Sequence, residues 1–393
     1  MTENDISRLF KMPTLFKDES KLFPEYVPSH LPHREEQLNL LASYLKGLVN
    51  YNDFPFYRII CHGPVGTGKT AVVRLFGKIL ADEANRRGIN LQYVHVNCQI
   101  ERTKFMVVRK TIESLIPSIP KRGFSPQQLL GWLIEYLEDE NIRLLLALDE
   151  ADYLIRTEAD TLYDLTRLPE ISKGKSRISF ILILRDISLI YRLDESILST
   201  LQKNAIKFDP YKSNELFTIL KERAEEALQP DVINDKIIEE IVRRIGYDKG
   251  GNGDARFALE VLWRSVKIAE MKMLDKVSLE HVKMAFSEMY PGFNQEIVQN
   301  LDKHEKIILK AIARAFKNYA SSSIPIMKIK ENYNIVCEEF GEVPRRYTQF
   351  WTYIKNLKDK GLINVEVKSV GRGRRSFISL DIPSEIIEKN VEI

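Results

Sequence analysis

Residues Gly63-Pro64-Val65-Gly66-Thr67-Gly68-Lys69-Thr70 match the spacing G-x-x-x-x-G-K-[ST] at every fixed position. The context is the one this spacing needs, with the strand-like run "FYRIICHG" before it and a helical run starting at Ala71 after it. The glycines let successive backbone N–H groups turn inward around phosphate oxygens, and the helix N-terminus adds favourable dipole charge. Lys69 would reach the β- and γ-phosphates of ATP, or the β-phosphate of ADP, and Thr70 would hold Mg²⁺. Further along, the apolar run "LLLALDEAD" delivers Asp149 and Glu150 at its carboxyl end, where parallel sheets hold their ligands. Asp149 would bind the Mg²⁺ directly or through water, and Glu150 would orient and deprotonate an attacking water. In "GDAR", residues 253–256, Arg256 stands at the start of a helix from which it would reach back to the phosphates.

A second set of residues suits nucleic acid. Between Pro344 and Phe377 there are nine Lys or Arg against two acids, a local +7 in a chain whose net charge is only +3. In "VPRRYTQFWTYIKNLKDKGLI" the residues Phe350, Trp351, Ile354 and Leu357 form one apolar face. Arg345, Thr348, Gln349 and Thr352 recur at helical spacing on the other, with Arg346 adjacent. That is the layout of a helix that reads a major groove. Strand-type residues Val365, Val367, Phe377, Ile378 and Leu380 then flank Arg372, Gly373, Arg374 and Arg375, which predicts a β-hairpin with a basic tip. Helix followed by hairpin is the winged-helix order. The tip arginines would grip the DNA backbone or enter a narrow minor groove.

The elements that must position these residues follow from periodicity. Strand-like runs at 56–63, 91–98, 143–150, 177–185 and 204–210 alternate with helical runs, and several are apolar throughout, as in a parallel sheet covered on both faces. From about Tyr211 to Gly292 the pattern is helical only, with Ser213 as a cap for the first helix. Three more helical runs precede the hairpin. In "HREEQLNLLASYLKGLV" the leucines at 38, 41, 45 and 48 make one apolar stripe. With 44% hydrophobic and 29% charged residues the composition is that of an ordinary globular protein, and no apolar run approaches the roughly 18 residues of a membrane span. No signal-peptide pattern opens the chain. Three dispersed cysteines predict reduced thiols in a cytoplasmic protein, and the six histidines have no metal-ligand spacing.

The set "YVPSHLPHREEQL" (26–38), "GPVGTGKT", "LLLALDEADYL" and "GDARFAL", together with the terminal helix and hairpin, resembles the archaeal origin-recognition/cell-division-control initiators, a clade of AAA+ ATPases. The resemblance implies an α/β AAA+ phosphate-loop domain with a parallel sheet over residues 1–211, an all-α lid over 212–298 and a winged-helix domain over 299–393. It makes Tyr26, Val27, Pro28, His33 and Arg34 neighbours of the base and ribose, and it gives Arg256 the role of second sensor. It identifies about 101–140 as an initiator-specific insertion, whose tip residues Lys121, Arg122 and Gly123 would lie against DNA; Ser125, Pro126 and Gln128 form a capping-box start for its second helix.

Two positions depart from the family pattern. Arg185 stands where the first sensor is usually Asn, and Thr200 stands where ring-forming relatives carry an arginine finger. Both imply slow hydrolysis used as a switch. The implied function is an ATP-regulated, nucleoid-associated initiator that binds and distorts duplex origin DNA and helps recruit the replicative helicase, with a second initiator subunit as a further partner and no membrane. A nucleotide-gated transcription regulator and a clamp-loader or remodelling motor are the alternatives.

Overall fold

A computed structural model describes residues 14–50, 56–116, 123–167, 177–193, 201, 204–289, 298–318, 323–370, 373–380, 384, 387–388 and 391. The chain divides into two compact units: Val27–Asp209, and Met1–Tyr26 together with Pro210–Ile393.

The first unit is built on five strands: β1 (Arg58–His62), β2 (Leu91–Asn97), β3 (Arg143–Asp149), β4 (Ile178–Leu184) and β5 (Ala205–Lys207). They pair in parallel in the order β2-β3-β4-β1-β5. Central strands β3 and β4 are buried at every residue, as their unbroken apolar runs predict. The alternation of side chains sorts residues between two cores. Ile59, Cys61, Leu145, Ala147, Ile181 and Ile183 face one side, where helices α1 (Glu35–Leu45) and α2 (Lys69–Arg86) pack. Ile60, Leu144, Leu146, Leu148, Phe180 and Leu182 face the other, under α3 (Lys104–Leu115) and α4 (Pro126–Asp139). Helix α4 opens on the expected capping box, with Ser125 Oγ accepting from the Gln128 amide and the Gln128 side chain accepting from the Ser125 amide.

The second unit contains four helices, α5 (Ser213–Ala227), α6 (Asp235–Ile245), α7 (Ala255–Met271) and α8 (Leu279–Met289), around one core. Ser213 is the first residue of α5 and not its cap; its amide and hydroxyl both donate to Asp248. The residues at 14–22, assigned by sequence to the nucleotide domain, pack here instead. Phe16 and Leu22 enter the helical core, and the Lys17 and Asp18 amides donate to the Ala227 carbonyl. Their partners lie 208 to 256 positions away, beyond the reach of local periodicity.

The same unit continues with α9 (Lys303–Asn318), β6 (Ile324–Pro325), α10 (Ile326–Glu339), α11 (Tyr347–Asp359), β7 (Asn364–Val370) and β8 (Gly373–Ser379). The three strands form an antiparallel sheet in the order β6-β8-β7, and Val365 pairs with Ile378 as the expected hairpin requires. Ile307, Ile312, Tyr333, Phe350, Ile354, Leu357 and Ile378 share its core. Among the described residues no helix is long and apolar enough to cross a membrane, and the three cysteines are buried free thiols.

Phe16→Ala should lower unfolding stability by about 3–5 kcal/mol and Leu22→Ala by about 2–5 kcal/mol, the range for buried large-to-small changes. Urea unfolding followed by circular dichroism checks this. Losses below about 0.5 kcal/mol in both would mean that the segment lies on the surface of the helices and not in their core.

Candidate functional site

The loop between β1 and α2 is held from below. Gly63 has φ 151°, and a Cβ there would lie 2.1 Å from the Phe208 carbonyl oxygen, so β5 and its extension leave room for glycine alone. Gly66 and Gly68, at φ 71° and 82°, complete the turn. Thr67 is fully buried and its Oγ1 donates to the Pro64 carbonyl at 2.9 Å. Lys69 Nζ donates to the carbonyls of Gly63 and Pro64 at 2.7 and 2.6 Å, curling the ammonium over its own loop. Pro64 and Val65 are exposed on the rim and Ala71 is half-buried in the first turn of α2.

At the end of β3 the Asp149 carboxylate is 5% exposed and fully engaged. Oδ2 accepts from Thr70 Oγ1 at 2.8 Å and from His95 Nε2 at 3.1 Å, and Oδ1 accepts from the Glu150 amide at 2.9 Å. Burial works against its ionisation, but the hydrogen bonds from His95, Thr70 and the Glu150 amide outweigh it and hold the carboxyl below the usual carboxylate range. A carboxylate only accepts, so His95 carries its proton on Nε2; Nδ1 then accepts from the Tyr93 hydroxyl at 2.9 Å. Burial pushes the Tyr93 pKa up, which keeps that proton in place. Tyr93 and His95 were not singled out in the sequence. The available signal was Tyr93, His95 and Asn97 at alternate positions on one face of the strand, with Val94 and Val96 on the other.

Glu150 adopts a left-handed backbone, φ 52°, which costs a non-glycine residue about 1–3 kcal/mol. Both of its carboxylate oxygens accept from Arg185 Nη2 at 2.9 Å. Arg185 is itself anchored, its amide donating to Asp152. Arg185, expected from the resemblance at the first-sensor position, is therefore paired with the carboxylate expected to act as base.

The entry segment divides into different roles. Tyr26 belongs to the second unit, where its ring lies between the Lys21 ammonium at 4.1 Å and the Arg223 guanidinium at 4.4 Å. Val27 and Pro28 are half-buried in irregular chain of the first unit. His33 has φ 63°, and its Nε2 is buried with no partner among the described residues, so a polar atom is available for a bound group. Arg34 is committed elsewhere: it is 4% exposed and donates to the carbonyls of Thr67, His33 and Asp209 at 2.9, 3.0 and 2.7 Å. These bonds brace the phosphate loop from the segment that sequence reading placed near the base and ribose. Arg256 is the second residue of α7 and exposed; Asp254 caps that helix, accepting from the Phe257 amide.

The loop glycines, Lys69, the Thr70 hydroxyl beside a low-pKa carboxylate, and the unpartnered His33 nitrogen fit a nucleotide with Mg²⁺, a hard cation that takes oxygen ligands.

On the nucleic-acid side, α11 buries Phe350, Ile354 and Leu357 and exposes Thr348, Gln349 and Thr352. The helix starts at Tyr347, so Arg345 and Arg346 precede it in an exposed loop and do not lie on its polar face. Arg345 Nε donates to His304 Nε2 at 2.9 Å. On β8, Arg374 is paired in register with Ser369 and the exposed Arg375 with Lys368. Gly123 is exposed with φ 107°, while Lys121, Arg122, Thr200 and Arg372 lie outside the described residues.

Family comparisons agree with this division. Residues 57–193 match the AAA domain model, 217–287 the Cdc6 AAA+ ATPase-type lid domain, and 296–390 the CDC6 C-terminal winged helix domain. The chain is 40% identical over 376 residues to the ORC1-type DNA replication protein 2 of Saccharolobus solfataricus, covering 94% of this chain and 91% of that one. The Aeropyrum pernix ORC2 protein, solved as ADPNP-ADP complexes, superposes with TM-score 0.68 at 28% identity over 96% and 97% of the two chains. The Aeropyrum pernix ORC1 protein, solved in complex with DNA, gives TM-score 0.65 at 28% identity over 97% of each.

Two substitutions read the acidic end directly. Glu150→Gln should keep ADP affinity and lower ATP hydrolysis by about 10²–10⁴-fold, the usual contribution of a general base. Arg185→Asn should raise hydrolysis by about two- to fivefold, since an exposed ion pair is worth about 0–1 kcal/mol. Steady-state phosphate release checks both; unchanged turnover in Glu150→Gln removes that residue as base.

Proposed function

Since the chain belongs to the archaeal ORC1-type DNA replication proteins, the Cdc6/ORC initiators, we propose that it works as a nucleotide-governed grip on duplex DNA at replication origins. The observation that carries the reading is α11 with its adjoining hairpin. One buried face is locked into a dedicated core, and the opposite face exposes Thr348, Gln349 and Thr352, with exposed Arg346 just before the helix and exposed Arg375 on the hairpin that follows it. A major groove accepts such a helix, and the hairpin arginines, Arg372 and Arg374 with Arg375, reach the flanking backbone or minor groove. Lys121, Arg122 and Gly123 form a second contact with the duplex. Holding DNA at two places bends or locally unwinds it, and the altered duplex is where the replicative helicase is brought in. A second initiator subunit would sit on the same DNA.

The nucleotide half supplies the switch. Lys69, now on the Gly63 and Pro64 carbonyls, would hold phosphate oxygens of a bound nucleotide together with the amides of the glycine loop. Thr70 and Asp149 would hold Mg²⁺, which supplies charge neutralisation across the phosphates. Asp149 stays ionised because three donors point at it. Glu150 takes a proton from water only when Arg185 lets go of it, which favours long-lived bound ATP over rapid cycling. That pairing weighs against a processive motor. Promoter binding in place of origin binding would turn the same machinery into a transcription regulator, and mapping bound genomic sites separates the two.

Hairpin and helix should fail differently. Arg372→Ala, Arg374→Ala and Arg375→Ala should each weaken binding to all duplexes alike and flatten the slope of log affinity against log salt by about 0.9 for each phosphate no longer neutralised. Thr348→Ala or Gln349→Ala should instead narrow the gap between specific and random DNA by about 1–3 kcal/mol for each base edge no longer read. Fluorescence anisotropy at several salt concentrations reads both. Wild-type affinity and slope in all three arginine variants would mean a solvated hairpin, and the grip model would be withdrawn.

A further inference from the structure

Beneath the loop that leads into α11, two interior side chains take hold of one of the exposed arginines. His304, the second residue of α9, and Tyr333, in α10, are 3% and 0% exposed. Arg345 Nε–H donates to His304 Nε2 at 2.9 Å, and the Arg345 backbone amide donates to the Tyr333 hydroxyl oxygen at 3.1 Å. A guanidinium has only protons to offer, so Nε2 must carry the lone pair and Nδ1 the proton. The Nδ1–H then donates to the same Tyr333 oxygen at 2.8 Å. The imidazole plane is stacked on Tyr353 with centroids 5.9 Å apart, and Tyr333 packs on Phe350 at 5.3 Å; both rings belong to α11. Arg345 is thus tied to the core of its own domain through main chain and side chain. Among the described residues the guanidinium is held through its inner nitrogen, Nε, and the side chain remains exposed.

A long surface side chain that meets a phosphate loses rotamer freedom, and this loss opposes binding. A guanidinium already held at Nε has lost that freedom before DNA arrives, while Nη1 and Nη2 retain the paired geometry that suits phosphate. We propose that His304 is a positioning residue for DNA binding: with Tyr333 it holds Arg345 pre-ordered beside α11 as a contact to the DNA backbone. The inference rests on the DNA-binding reading above and adds to it a buried residue that touches no nucleic acid.

The arrangement has a pH consequence. The groups that face His304 are Arg345 and Glu342 in the loop, Asp302 and Lys303 at the start of α9, Tyr333 with Cys337 behind it on α10, and Tyr353 on α11. Burial, and then the Arg345 charge, hold the imidazole below its ordinary pKa, while Glu342 and Asp302 pull the other way. The neutral ring is the form that accepts from Arg345. It is fully present at neutral pH and is lost as pH falls through the lowered pKa, when a proton on Nε2 would oppose the guanidinium. The grip is therefore complete near neutrality and weakens in acid, below the ordinary histidine value of about 6.5.

The experiment measures affinity of the full-length protein for a labelled duplex, at several salt concentrations, at about pH 7.5 and about pH 5.5. The variants are His304→Leu, His304→Gln, Arg345→Ala and the double His304→Leu/Arg345→Ala, with thermal melts at each pH. His304→Leu should weaken binding about three- to tenfold, the range for one immobilised side chain. His304→Gln, whose amide oxygen still accepts from Arg345, should recover most of that loss and should lack the extra weakening that wild type shows in acid. Arg345→Ala should flatten the salt slope by about 0.9. The double variant should bind no worse than Arg345→Ala. Additive losses in the double variant, or equal acid weakening in wild type and His304→Gln, overturn the proposal; the second comparison stands even if His304→Leu fails to fold. An Arg345→Ala protein with wild-type affinity also overturns it, but leaves the DNA-binding reading intact so long as the hairpin variants still bind weakly.

Discussion

The hydrogen bond from Thr70 Oγ1 to Asp149 Oδ2 joins residues 79 positions apart, and the nucleotide half of the molecule is organised around making it possible. The two come from strands that do not touch: β1 and β3 lie on either side of β4. Parallel pairing is what brings their carboxyl ends to the same edge of the sheet. Side-chain alternation does the rest. Asp149 shares the face of Leu145 and Ala147, which is the face that α2 covers, so the first turn of α2 meets the carboxylate directly. A slip of one residue in β3 would send Asp149 to the opposite core and bring Leu148 to the site. The apolar residues that fix the register therefore also fix the chemistry.

The same constraint explains why Glu150 is treated differently from its neighbour. The strand ends at Asp149, and the chain must leave the sheet at once to reach the following helix. The left-handed turn at Glu150 accomplishes this and lifts its carboxylate out of the buried network, where Arg185 from the end of β4 can meet it. Two adjacent acids thus occupy distinct environments. One is buried and held ionised by three donors; the other is partly exposed and paired with Arg185.

Much of this was legible in the sequence because it is local. The five strands, the phosphate loop, the capping box at Ser125 and the hairpin at 364–379 each rest on residues within a few positions of one another. Asp149 and Glu150 were readable because an unbroken apolar run ends at them. What escaped depends on long-range packing. Arg34 lies in a recognisable motif, yet its bonds to Thr67 and Asp209 are settled by how distant segments fold together. Phe16 and Leu22 sit in a segment with no period, so nothing local announced the helical core they enter. Helix α11 starts only at Tyr347, after the Pro344 and Arg345 that helical spacing assigns to it, because spacing alone does not reveal that Arg345 is retained by His304, on a different helix.

His95 and His304 escaped for a shared reason that says something about how the protein is built. Each imidazole is bonded through Nδ1 to a tyrosine hydroxyl, that of half-buried Tyr93 or of buried Tyr333, and each uses Nε2 to hold an ionic side chain. The polarity of the two chains is opposite. At the nucleotide site Tyr93 donates to the ring and the ring donates to Asp149. In the terminal domain Arg345 donates to the ring and the ring donates to Tyr333. A neutral imidazole has one donor and one acceptor, so the charge of the residue to be held decides which nitrogen keeps the proton, and the tyrosine hydroxyl, able to donate or accept, adjusts to the remainder. The pairing of histidine with tyrosine lets one kind of support hold either a carboxylate, as at Asp149, or a guanidinium, as at Arg345. Neither support requires a buried net charge of its own.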